Sequence, residues 1–185
     1  MKRRFILASS GALLLTGCEL APVHNWQIEE VNGEVLGGTD ARISVRSIGL
    51  PSALNQPGIP QPGPANAANS FSNDLWAAPL ASMLQITMVA NLAQRLPKDV
   101  VLADGGAIGA MPDRYVEIQI LNFSPDSTGI ITLKAQLATR PVNSQTWVLQ
   151  QFAQDQPGGT NAATITACMS LLWGRLADHV AQMLV

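Results

Sequence analysis

The sequence predicts an α+β domain of two layers, an antiparallel β-sheet with two amphipathic helices packed on one face. Three observations carry that expectation. Residues 114–154 hold three runs in which apolar and polar side chains alternate, joined by short turns. Two longer segments, 74–96 and 162–185, repeat apolar residues at helical spacing. The coarse order β-β-loop-α-β-β-β-β-α groups the strands in runs instead of alternating each with a helix.

The chain opens on Lys2, Arg3 and Arg4, followed by a mostly apolar run, 5–15, of about eleven residues. A bilayer-spanning helix needs roughly 20. A basic start with a short apolar core is instead the pattern of a secretory signal. The run ends in Leu15-Thr16-Gly17-Cys18, which resembles the bacterial lipobox. The resemblance implies a diacylglyceryl group on the Cys18 sulfur and cleavage just before it. The expected organisation is therefore a lipoprotein signal peptide over 1–17, a lipidated tether over 18–25, and a single α+β domain over 26–185. One acyl chain binds a membrane marginally, whereas two or three anchor it durably. Position +2 is Glu19. In lipoproteins of this kind an Asp there is the usual inner-membrane retention signal, so Glu19 implies sorting to the outer membrane, on its periplasmic face.

Loss of 1–17 would remove three of the 11 basic residues and none of the 13 acidic ones. The remaining chain is mildly acidic and has no Lys/Arg run, which argues against nucleic acid and against electrostatic docking on anionic lipid. The charged fraction, 13 %, is about half the usual value. With Cys18 acylated, Cys168 stands alone and can form no internal disulfide. It falls among Ile165, Met169 and Leu172, the place of a small buried hydrophobe.

Along the chain, 26–31 reads as a short strand and 32–40 as a turn region with Asn-Gly and Gly-Gly signals. In 41–48, Ile43 and Val45 alternate with Arg42, Ser44 and Arg46, a strand with one wet face. Residues 50–73 are rich in proline and glycine and predict a long exposed loop, because proline lacks the donor that a ladder needs. Leu80, Leu84, Met88 and Leu92 mark a helix that starts near Ala77 or Ala78 after a turn over 73–76 and stops at Pro97. A short strand over 99–103 and a glycine-rich loop over 104–113 follow. Three strand patterns, 114–123, 130–139 and 145–154, then form an antiparallel meander. Thr160 or Asn161 can cap the last helix, whose apolar stripe runs through Ile165, Met169, Leu172, Leu176, Val180 and Met183.

Catalytic patterns are missing. The histidines are His24, in the tether, and His179, on the last helix, and neither stands in a nucleophile–base motif. There is no C-x-x-C, H-x-x-x-H or H-E-x-x-H spacing for a metal. The glycine-rich stretches 37–40 and 104–109 lack the residues of a phosphate or calcium loop. Glu29 and Glu30 are adjacent on the expected strand and point to opposite faces, while Asp104 and Asp113 flank a loop. The sequence therefore predicts no enzyme, no cofactor and no metal. Trp76, Trp147 and Trp173 serve either helix–sheet packing or a docking surface. Trp76 and Trp147 are the candidate partner contacts, with Trp147 placed on the wet face of the sheet.

Several stretches together resemble the PqiC/YmbA-type auxiliary lipoproteins of MCE-containing transport systems, the ABC-type transport auxiliary family. They are "ISVRSIGLPSALNQPGI" (43–59), "LWAAPLASMLQITMVANLAQRL" (75–96) and "RYVEIQILNFSPDSTGIITLKAQL" (114–137), with the lipobox and the closing helix. "W-A-x-P-L" at 76–80 is the specific part. The chain departs from the pattern at 60–69, where the family continues with a strand carrying an Arg, and at Ala78, where an acidic residue is common. The resemblance implies a non-catalytic outer-membrane subunit of a system that moves lipid between the membranes. It would dock the periplasmic conduit built by MCE-domain subunits, in several copies if it caps a ring. The alternative is an outer-membrane lipoprotein that regulates a peptidoglycan synthase or another envelope complex. Such proteins usually need a long disordered tether, and the one expected here is about seven residues.

Overall fold

The computed structural model describes residues 21–64 and 67–185. The strands are β1 (His24–Trp26), β2 (Arg42–Val45), β3 (Gly58–Pro60), β4 (Ser70–Trp76), β5 (Val100–Ala103), β6 (Arg114–Pro125), β7 (Ile130–Pro141) and β8 (Val148–Pro157). The helices are α1 (Leu80–Arg95) and α2 (Ala162–Leu184). The α+β class and the two helices match expectation, and both helices lie on one face of a five-stranded sheet ordered β5-β2-β6-β7-β8.

That sheet is mixed, not antiparallel. Its β6-β7-β8 part is the expected meander. β2, however, runs parallel to both β5 and β6. The chain passes from β2 to β5 by way of α1, and a crossover containing a helix returns the next strand in the same direction. As an interior strand β2 is packed on both sides: Ile43 and Val45 are fully buried, and Ser44, expected to be wet, is buried as well.

A second, three-stranded sheet, β1-β4-β3, occupies much of the region expected to be loop. Proline fits there because Pro60 lies at the end of an edge strand, where a missing donor costs little. Residues 73–76, expected as a turn, complete β4. The Ala77 N–H donates to Trp26 O, and a bend over Ala77 and Ala78 leads from β4 to Pro79. Pro79 is the N-cap of α1, whose first residue, Leu80, is two or three positions later than expected. His24 and Asn25, expected in the tether, are ladder residues opposite Asp74 and Leu75. At the far end, the Asn161 side chain accepts the Thr164 N–H at 3.0 Å and caps α2.

The helices and sheet enclose one apolar core. Leu84, Met88, Leu92, Ile120, Phe123, Leu133, Leu172 and Trp173 are fully buried. Phe123 reaches this core because a bulge between Ile120 and Asn122 shifts the alternation by one residue.

Residues 27–41 hold no ladder strand, although 26–31 suggested one. Polar side chains of the helices secure this segment instead. Ser170 Oγ accepts the Glu29 N–H, Asn91 Oδ1 accepts that of Val31, and Gln94 both accepts from and donates to the Gly33 backbone. Arg95, with no exposed surface, donates to the carbonyls of Val31, Asn91 and Gly174 and pairs with Asp178 at 2.6 Å. Asp99 Oδ1 accepts from Thr39 and Ala41. Glycine is required at Gly174, where a Cβ would lie 2.7 Å from Val31 Cβ.

Candidate functional site

The alternation of β6, β7 and β8 sends one set of side chains into the core and the other to an open face. On that open face Tyr115, Glu117, Gln119, Gln136, Ala138, Leu149 and Gln151 stand side by side across the three strands. All of these but Tyr115 border a shallow groove of about 750 Å³ that continues over Arg46, Ser47 and Gly49. Gly49 is tied to β6 by backbone bonds from its N–H to Ile118 O and from the Ile120 N–H to its carbonyl.

At one end of the groove, cations and aromatics alternate. The Arg46 guanidinium lies 4.6 Å from the Tyr115 ring centre. Arg140 lies over Tyr115 at 5.8 Å and over Trp147 at 4.8 Å. Stacking of this kind holds long side chains flat and is worth about 0.5–1 kcal/mol per pair when exposed. Arg46 also pairs with Glu117 at 3.0 Å, so its charge is compensated. Arg140 donates to Ser144 O at 2.8 Å, and its Nε has no partner among the described residues. Beside this row Arg42 grips Asp113 bidentately, and those hydrogen bonds pull the Asp113 carboxyl down to about 2.

The residues expected to matter fall in different places. Cys18 and Glu19 lie outside the described residues. Trp147 presents a third of its surface, stacked on Arg140, where the wet-face reading put it. Trp76 is 6 % exposed. Its backbone N–H donates to Pro57 O, its indole N–H has no partner among the described residues, and Trp76 lines a hollow of about 360 Å³ with Pro57, Pro79 and Leu80. Of the two tryptophans, Trp147 is the more exposed. Trp173 is core, its Nε1 donating to Leu84 O at 3.1 Å. Cys168 is buried beside Gln156 O at 3.6 Å, and burial pushes its thiol upward against the weaker pull of Arg175.

No catalytic constellation is assembled among the described residues. His24 lies 3.4 Å from Asp74 at the sheet edge, and His179 packs at a tilt against Phe152 with ring centres 5.7 Å apart. Glu29 and Glu30 are both exposed. Asp113 is engaged by Arg42, and Asp104 lies 3.9 Å from Arg46. Among the described residues, no three His, Cys, Asp or Glu side chains gather where a metal could sit. Nor is any helix among them long and apolar enough to cross a membrane. The Arg46–Tyr115–Arg140–Trp147 row was missed by sequence reasoning. Its one sequence signal, arginines on the polar side of alternating strands, is shared by ordinary solvated faces.

Comparison with known proteins adds a family and a fold. The model of a family described as ABC-type transport auxiliary lipoprotein component matches residues 29–181. Protein XCC0632 from Xanthomonas campestris superposes with a TM-score of 0.71 at 16 % identity, covering 89 % of this chain and 95 % of that one. A crystal structure of an uncharacterized protein gives 0.70 at 18 % identity, covering 85 % of this chain and 100 % of that one. At such identities the likeness concerns the fold alone. No protein of curated function matches the chain.

Proposed function

The chain belongs to the family of ABC-type transport auxiliary lipoprotein components, and from that membership we propose that it is a non-catalytic outer-membrane subunit of an MCE-type intermembrane lipid transport system. In this reading Cys18 carries the lipid, Glu19 directs the chain to the outer membrane, and the domain docks the periplasmic conduit there. The observation that carries the proposal is the family match over 29–181, joined to the Leu-Thr-Gly-Cys sequence that ends at Cys18.

The fold supports it through distance. The first ladder residue is His24, six positions after Cys18. At roughly 3.3–3.6 Å per residue, the anchor lies within about 20 Å of β1. A domain held that close serves a partner that comes to the membrane better than one that must be reached across the periplasm. The open sheet face, with Trp147 on Arg140, offers such a partner an aromatic contact.

Cross-linking with mass spectrometry in native membranes tests the proposal. The wild type should yield cross-links to an MCE-domain subunit. Cys18→Ala should leave the fold intact, lose the membrane fraction and lose those cross-links. Recovery of cross-links to a peptidoglycan synthase and to no MCE subunit would overturn the proposal.

A further inference from the structure

The four sheet edges are not alike. β1 and β3 are three residues long, and β5 is four. Edges so short offer few backbone groups to another chain. β8 is ten residues long and pairs with β7 over its whole length without a register shift, while its other side has no strand neighbour among the described residues. The usual protections are lacking. No bulge twists it away, its one proline is the last residue, and its one charge is Asp155. Phe152 is its one buried side chain; Leu149 is 73 % and Val148 48 % exposed. α2 covers only its helix-side face, through His179 beside Phe152 and Cys168 Sγ 3.6 Å from Gln156 O, and leaves Gln150 and Gln154 exposed.

We propose that the β8 edge is an interface between two copies of this chain, joined by antiparallel β8–β8 pairing into one continuous sheet. The sequence of the edge argues for a second copy over other strands. A two-fold axis perpendicular to the sheet makes the partner strand antiparallel and keeps both pairs of helices on the same side. Side chains on one face must then meet side chains of the same face. Gln150, Phe152 and Gln154 face the helix layer, since their neighbours on β7 are the buried Leu137, Ala135 and Leu133. Centring the axis on Phe152 sets Gln150 opposite Gln154 twice and Phe152 opposite itself. Each glutamine amide both donates and accepts, so such pairs are self-complementary. Asp155 meets Leu149, and no like charges are opposed. The inference does not depend on the transport reading, because the edge would pair whatever the assembly carries.

The lipidated chain in detergent, measured by light scattering across a dilution series, tests this. The wild type should be a dimer that dissociates on dilution. Q150K/Q154K sets lysine against lysine at two exposed positions and should raise the dissociation constant by about tenfold or more, with thermal unfolding unchanged. Q150C/Q154C supplies an independent readout. Within one chain the two positions are about 13 Å apart, beyond the roughly 7 Å a disulfide spans, so oxidation can join them only between copies. A covalent dimer on oxidation supports the pairing. A wild type that is monomeric up to its solubility limit, or an assembly that Q150K/Q154K leaves unchanged, would overturn it.

Discussion

Residues 114–157 and residues 27–41 are both extended chain, yet opposite means hold them in place. The β6-β7-β8 meander satisfies its backbone with its own neighbours, strand to strand, and β6 and β7 bury about every second side chain. The 27–41 segment has no neighbouring strand and takes its side-chain partners from the helices, Asn91, Gln94, Arg95 and Ser170, and from Asp99 just before β5. In the meander, then, apolar burial carries the energy and hydrogen bonding follows from geometry. In the segment, a few specific polar groups carry both. The first arrangement should degrade gradually under substitution, and the second should fail locally when one group is lost.

The strongest test removes apolar burial. Phe123 is fully buried and stacks on Trp173 with ring centres 6.2 Å apart. Phe123→Ala should destabilise the whole domain by about 3–5 kcal/mol, since it combines lost transfer energy with a cavity. Urea unfolding measures this, and the midpoint followed by tryptophan fluorescence and by far-UV circular dichroism should fall together. A loss below 1 kcal/mol would mean that the core repacks freely and that the meander owes less to burial than its geometry suggests.

The second test removes the polar clamp. Arg95→Met keeps much of the side-chain volume but strips donors from three carbonyls and leaves Asp178 without its cation. A loss of about 3 kcal/mol is expected. Hydrogen exchange should show where it falls. The amides of Val31, Gly33 and Leu36, which bond to Asn91, Gln94 and Arg95 O, should exchange much faster. Amides of β6 and β7 should change far less. Equal acceleration in both regions would remove the distinction between them.

The same contrast explains what could be read in the sequence. The meander and both helices were legible because their signals are local: Val116, Ile118 and Ile120 alternate along β6, and Leu80, Leu84, Met88 and Leu92 recur along α1. The partners of β2 were not legible, because a parallel pairing is made with strands far away in the chain. Nor was the 27–41 segment, since its acceptors Asn91 and Gln94 look like the polar face of an amphipathic helix until something packs against them. β3 and β4 were hidden by the prolines around them, although Pro60 sits where an edge tolerates it. The cation–aromatic row is invisible for a related reason. Arg46, Tyr115, Arg140 and Trp147 come from four separate stretches and meet only when β2, β6, β7 and the turn before β8 are assembled.

The smallest expected effect compares two arginine–aspartate pairs. Arg95–Asp178 is made by a cation with no exposed surface, whereas both members of Arg42–Asp113 are about half exposed. The exposed pair still fixes a register. The Asp113 carboxylate accepts from the Arg42 backbone N–H and side chain, and the Asp113 N–H donates to Arg42 O, where β2 joins β6. Its hydrogen bonds lower the Asp113 carboxyl in the folded chain from 3.8 to about 2. A depressed carboxyl favours the folded state above the unfolded value and loses that contribution as pH falls through the folded one. The pair should therefore contribute fully at neutral pH and fade as the pH drops from about 4 to about 2. Being solvated, it should contribute little and less still in high salt. Asp113→Asn should lower the neutral-pH unfolding midpoint slightly, by an amount that shrinks below pH 4 and in 1 M salt. An effect as large as that of Arg95→Met, or one that salt leaves untouched, would show that burial is not what separates the two pairs.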